Sequence, residues 1–256
     1  MTDFAAVIAA AQARVEDALG VAPACVDRPR ARRDAPRMAG RIDHTLLKAS
    51  ATQVEIEQLC AEAIANGFAS VCVNTRWVPR VAQALADSEV LVCTVVGFPL
   101  GATTRRAKAE EARITVEEGA QEVDMVMDVG ALLSGDLAGV YQDMAGVADA
   151  AGDRPVKVIL EACLLTGEQK AIACLIALRS GVAYVKTSTG FSTGGATVED
   201  VALMRACVGD ALGVKASGGI RTRADADAMI AAGADRIGAS ASIAIANGVG
   251  GGRSGY

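Results

Sequence analysis

From Arg41 onward, apolar residues gather in short runs. Each run gives way to a longer stretch in which they recur every three or four positions. The runs are "IDHTLL", "ASVCVN", "VLVCTVVGF", "EVDMVMDV", "VKVILEA", "AYVKTS", "LGVKAS" and "DRIGAS". Their length and β-branched content predict strands, apolar enough to be buried on both faces. The stretches between them, such as "ATQVEIEQLCAEAIANG" and "TTRRAKAEEARITVEEGA", carry the spacing of amphipathic helices. Several of these close on a glycine (Gly67, Gly119, Gly181, Gly233), the residue that ends a helix in the left-handed conformation at no steric cost. Eight strands alternating with helices predict an α/β chain folded as a (β/α)8 TIM barrel. An open doubly wound sheet is the rival, but no GxGxxG follows the first strand.

Ahead of the barrel, Phe4, Val7, Ile8, Ala11, Val15 and Leu19 lie at helical spacing, with Thr2 as N-cap and Gly20 as stop. Residues 23–40 are rich in proline and arginine and predict a solvated connector, with the helix before it laid across the bottom of the barrel. The chain thus divides into a helix and basic connector at 1–40, a barrel at 41–248, and a glycine-rich tail at 249–256 expected to be flexible.

Composition narrows the function. Of 256 residues 52% are hydrophobic and only 3% aromatic, so the core is built from Ala, Val, Ile and Leu. A net charge of -5 offers no basic field for nucleic acid or an anionic membrane. The seven cysteines show no CxxC spacing and are odd in number, which argues against a disulfide framework and predicts a reducing cytoplasm. Asp3 stands where a signal peptide carries positive charge, and no apolar run reaches membrane-spanning length. The single histidine, His44, leaves no basis for a histidine-cluster metal site. A small-molecule substrate is the expected partner, and an apolar face on the outer helices is expected to serve a homodimer.

In such a barrel, chemistry sits where strands end. Those ends supply Asp43 and Thr45, Cys72 and Asn74, Asp124 and Asp128, Glu161, Lys186 with Thr187, and Lys215. Alternation along the strands sets Asp124 opposite Val123 and Met125. It likewise sets Lys186 opposite Val185 and Thr187, and Lys215 opposite Val214 and Ala216. All three charges therefore point into the barrel. A lysine is normally protonated at neutral pH, but desolvation and a second ammonium nearby favour the neutral amine. Lowering its pKa by about 3 units corresponds to roughly 4 kcal/mol. Such an amine forms a Schiff base with an aldehyde or ketone, and the cationic imine accepts electrons from a neighbouring carbon–carbon bond. The hydroxyl-rich rim after Lys186 suits a polyol, so Lys186 is assigned as nucleophile and Lys215 as the cation beside it. Asp124 balances charge and moves protons. Lys157 opens its strand and is expected to point to the other end of the barrel, and Lys48 to lie in solvent. The loops after the last two strands, with Ser217, Gly218 and Gly219, then Gly238, Ala239 and Ser240, predict a phosphate cradle, to which Gly190 adds a donor.

Taken in order, "IDHTLL", "VCVN", "GFPLGATT", "EVDMVMDVG", "KVILEACLLT", "VKTSTGFSTGGAT" and "GVKASGGIRT" resemble the deoxyribose-phosphate aldolase family over about Arg41 to Gly248. The resemblance implies a metal-free class I aldolase without cofactor. Such an enzyme reversibly cleaves 2-deoxy-D-ribose 5-phosphate to D-glyceraldehyde 3-phosphate and acetaldehyde. It matches Lys186 to the Schiff-base lysine, Lys215 to the second lysine and Asp124 to the acid/base carboxylate. Two departures stand out: Ala162 follows Glu161 where the family commonly has Thr, and Ala241 stands where a second serine often follows Ser240. A C-terminal tyrosine such as Tyr256 is a candidate proton donor folding over the mouth. Another Schiff-base aldolase, a transaldolase and a non-catalytic sugar-phosphate sensor remain open on the residues alone.

Overall fold

A computed structural model describes residues 3–20 and 35–248. The basic connector before Ala35, and the tail with Tyr256, lie outside them. Eight parallel strands close a barrel in chain order: β1 (Ile42–Leu46), β2 (Ser70–Val73), β3 (Leu91–Val96), β4 (Glu122–Val126), β5 (Val156–Ile159), β6 (Tyr184–Lys186), β7 (Gly213–Ser217) and β8 (Arg236–Ala239). The predicted α/β TIM barrel is the fold. All eight apolar runs are strands, and β8 returns to pair with β1.

The outer layer holds α2 (Gln53–Asn66), α3 (Val78–Ala84), α4 (Arg105–Glu117), α5 (Val129–Leu133), α6 (Leu137–Ala151), α7 (Gly167–Ala177), α8 (Val198–Val208), α9 (Arg223–Ala231) and α10 (Ser242–Asn247). Local sequence fixes where these begin. Thr52, Thr166 and Thr222 each cap a helix through a reciprocal capping box with Glu55, Gln169 and Asp225. Each cap satisfies amide donors the helix leaves open and stabilises it by about 1 kcal/mol.

The helix α1 (Phe4–Leu19) has the predicted extent, capped by the Asp3 carboxylate. Its position differs from the expectation. It lies on the flank of the barrel against α7, burying Ala11 and Val15, rather than across the bottom. The stripe of small residues allows close helix–helix approach, and the edges are tied by Arg14 to Glu168 (2.9 Å) and Arg179 to the Gly20 carbonyl (2.7 Å). Among the described residues, no helix is long and apolar enough to cross a membrane.

The main apolar core fills the shell between sheet and helices, through residues such as Val71, Val123, Met125, Val158, Val185 and Val214. The inward faces are different. A small cluster of Leu47, Cys72, Cys93 and Val95 lines one side, while the rest carries buried charge: Asp43, Glu122, Asp124, Lys157, Lys186, Lys215 and Arg236. Barrel interiors are usually layered with Val, Ile and Leu. A charged interior is costly unless every member is paired, so it marks a site.

Candidate active site

Alternation carries Asp124, Lys186 and Lys215 inward, and register brings them together. Lys186 pairs across to Lys215, and Asp124 to Lys157. One carboxylate oxygen, Asp124 Oδ2, holds both Lys186 Nζ at 2.8 Å and Lys215 Nζ at 2.6 Å. Its other oxygen accepts from Lys157 Nζ at 2.7 Å. Lys157 was expected at the far end of the barrel; it is instead fully buried in the same cluster, because the register between β4 and β5 sets it level with Asp124.

The ion pairs continue downward. Lys157 also meets Glu122 (2.8 Å), Glu122 meets Arg236 (3.0 Å), Arg236 Nε donates to Asp43 (3.1 Å), and Asp43 meets Lys215 (2.5 Å). The six residues Asp124, Lys157, Glu122, Arg236, Asp43 and Lys215 form a closed ring of alternating charge, and Lys186 hangs on it through Asp124 alone. At the end opposite the mouth, Arg236 borders a cavity of about 510 Å³. Burial works against each charge, but the opposite charges prevail. Asp124 is held well below the usual carboxylate range by Lys157, Lys186 and Lys215, and Asp43 is likewise lowered by Arg236 and Lys215. Lys215 sits above the ordinary lysine range because Asp124 and Asp43 outweigh its burial, and Lys157 does so chiefly through Asp124. Lys215 is therefore a firm cation beside Lys186. Gly238 makes room for it: a Cβ there would lie 3.0 Å from Lys215 Cε.

The remaining predicted residues divide. Gly190, Gly218, Gly219 and Ser240 line one cleft of about 350 Å³ over β6 to β8, together with Arg221 and Thr193. Gly190, Gly218 and Gly219 all have positive φ, so their amides turn in ways a side chain would resist. Ser217 does not line that cleft; its hydroxyl donates to the Ser188 carbonyl at 2.6 Å. Gly238 and Ala239 sit within β8, the latter in the outer core. Thr187 points outward and latches β6 to β7 through the Ser217 backbone, Thr45 donates to the Asp43 carbonyl, and Asn74 to that of Leu47. Cys72 is fully buried beside Cys93. Asp128 caps α5. Glu161 closes the mouth over β5 with φ 54°, a strained conformation for a residue with a Cβ. Its carboxylate accepts from the Thr189 hydroxyl (2.5 Å) and amide (3.4 Å).

Cys72, Cys93 and Asp124 place three ligand atoms within 4.8 Å of one another. They do not suit a metal ion: three lysine nitrogens already surround the carboxylate, and Lys157 Nζ lies 3.4 Å from Cys93 Sγ. What the arrangement suits is an amine at the mouth, flanked by a fixed cation, with a donor-rich cleft alongside for an anion.

Comparison with known proteins gives the family. Residues 37–256 match the family model described as DeoC/LacD family aldolase. A deoxyribose-phosphate aldolase of Brevibacillus brevis is 60% identical over 215 residues, 84% of this chain and 97% of that protein. One from Streptococcus gordonii is 56% identical over 207 residues, 81% of this chain and 94% of that protein. Among solved structures, the tetrameric deoxyribose phosphate aldolase from Aeropyrum pernix superposes with a TM-score of 0.77 at 32% identity, covering 93% of this chain and 95% of that one. With its lysine-bearing barrel and a match over all but the first 36 residues, this chain belongs to the DeoC/LacD aldolase family.

Proposed function

We propose that this chain is a class I aldolase that reversibly cleaves 2-deoxy-D-ribose 5-phosphate to D-glyceraldehyde 3-phosphate and acetaldehyde, with Lys186 as the Schiff-base residue. The observation that carries the reading is the pair of lysine nitrogens on one carboxylate oxygen, at 2.8 and 2.6 Å, inside a closed barrel. Of the three clustered lysines only Lys186 is open to the mouth, with 4% of its side chain exposed against none for Lys157 and Lys215. The substrate is supported by the names of the relatives and by the cleft beside the site, where glycine amides and Arg221 offer donors to a phosphate.

The open-chain sugar presents its C1 aldehyde to Lys186 Nζ, and loss of water gives the iminium ion. The C2–C3 bond then breaks and its electron pair moves into the iminium to form an enamine. The C3 hydroxyl gives up its proton and becomes the aldehyde of glyceraldehyde 3-phosphate. Protonation of the enamine at C2 and attack by water release acetaldehyde and restore the amine. Lys215 stays cationic throughout and favours the free amine over the ammonium at Lys186 before the substrate adds. Asp124, kept ionised by the Lys157 and Lys215 ammonium groups, has little basicity of its own. Its part is to hold the cations and a water in place, and the protons travel through that water.

Reduction with borohydride in the presence of acetaldehyde tests the reading: an N-ethyl group mapped to Lys186 is expected. Unmodified Lys186 at saturating aldehyde would overturn it. The same proposal includes a cytoplasmic setting, supported by six free cysteines among the described residues. It also includes a homodimer in solution, for which light scattering is the direct check.

A further inference from the structure

We propose that Arg236 and Glu122 are positioning residues for this reaction: they close the ring of alternating charge and so leave Lys186 as the one interior cation in excess of the carboxylates. The inference rests on the reading of Lys186 as nucleophile. Neither residue is near the mouth, since Glu122 opens β4 and Arg236 opens β8.

The ring holds three carboxylates, Asp43, Glu122 and Asp124, and three cations, Lys157, Lys215 and Arg236. Each ring cation touches two carboxylates. Lys186 is the fourth cation and touches only Asp124, which Lys157 and Lys215 already share. With Lys186 as an amine the interior is neutral; with Lys186 as an ammonium it carries one uncompensated charge in a nearly water-free space. The other titratable groups facing this space leave the count unchanged. The Tyr184 phenol on β6 is pushed up to about 12 by burial. On β2 and β3, Cys72 and Cys93 share a hydrogen bond that lowers the Cys72 thiol and, together with burial, raises that of Cys93. Glu161 lies past the end of β5, bonded to Thr189 at the mouth.

The count makes opposite predictions for two substitutions. Arg236→Met removes a cation, so the interior is neutral only when Lys186 keeps its proton. The acid limb of the kcat/KM profile is expected to move up by about one pH unit or more. Glu122→Gln removes a carboxylate, adds to the excess positive charge, and is expected to move that limb down by a similar amount. The double variant restores the balance and returns the limb to the wild-type position.

The test is the pH dependence of kcat/KM for 2-deoxyribose 5-phosphate cleavage in wild type, the two single variants and the double variant, with thermal melts alongside. Should Arg236→Met fail to fold, Glu122→Gln against the double variant still carries the comparison, because the double removes both partners of one pair. Opposite displacements with return in the double variant support the ring. Losses of rate with an unmoved acid limb, or both limbs moving the same way, overturn it and leave Arg236 and Glu122 as scaffold. Borohydride trapping on wild-type Lys186 is run in parallel: an adduct with unmoved limbs sinks only this inference, whereas no adduct sinks the reading beneath it.

Discussion

Replacing Lys215 with methionine removes the fixed cation beside the nucleophile while keeping most of the side-chain volume. Both lysine nitrogens bond to Asp124 Oδ2, at 2.8 and 2.6 Å, so they stand about 5 Å apart or closer. Two unit charges at about 5 Å in an effective dielectric of about 20 repel by roughly 3 kcal/mol. That corresponds to about two powers of ten in the tendency of Lys186 to keep its proton. At pH 7 the Lys215→Met variant should lose about 100-fold in kcat/KM, with its acid limb displaced upward by about two pH units. Much of the loss should return by pH 9. Initial rates of aldehyde release between pH 6 and pH 10 provide the assay. Circular dichroism melts are needed beside it, since leaving Asp43 and Asp124 short of a partner costs about 3–5 kcal/mol of stability. Near-normal activity at pH 7, or an equal loss at every pH, would refute the electrostatic role.

Three further outcomes follow from the same geometry. Arg221→Ala, in the donor-rich cleft, should raise KM for the phosphorylated sugar about tenfold while leaving cleavage of unphosphorylated deoxyribose unchanged; equal effects on both would remove Arg221 from phosphate binding. Gly213→Ala would put a Cβ 2.0 Å from the Tyr184 ring, so a loss of about 3 kcal/mol in denaturant unfolding is expected, and a neutral result would contradict the packing of β6 on β7. Because Asp43 is depressed in the folded state, its contribution is present above the unfolded value and lost as pH falls toward the folded one. The difference in melting temperature between wild type and Asp43→Asn should hold from pH 8 to about pH 5 and shrink below about pH 4. A difference that instead shrank between pH 8 and pH 6 would count against the ring.

The barrel was legible because its signal is rhythmic: eight apolar runs, each bounded by a helix with its own cap or glycine. Lys186, Lys215 and Asp124 were legible because alternation on a strand fixes the face a side chain takes. Register between strands is not written in a single strand, and there the reading failed. Lys157 was sent to the far end because it opens β5, yet in the barrel it lies level with Asp124. Glu122 shares the parity of Asp124 and Arg236 that of Gly238, so the same alternation pointed both inward. The donor-rich cleft was half legible. Gly190, Gly218, Gly219 and Ser240 follow strand ends and line the cleft, whereas Gly238 and Ala239 are still inside β8. Arg221 carried no signal beyond standing two residues after Gly219, and the strain at Glu161 carried none.

The proton on Lys186 can be followed directly by NMR titration of protein labelled at lysine Cε, with the Lys186 resonance assigned through Lys186→Arg. The account predicts that Lys186 gives up its proton at a lower pH than Lys157 and Lys215, which remain ammonium ions beyond about pH 9. A Lys186 resonance that stays with those two, charged across the whole neutral range, would contradict it.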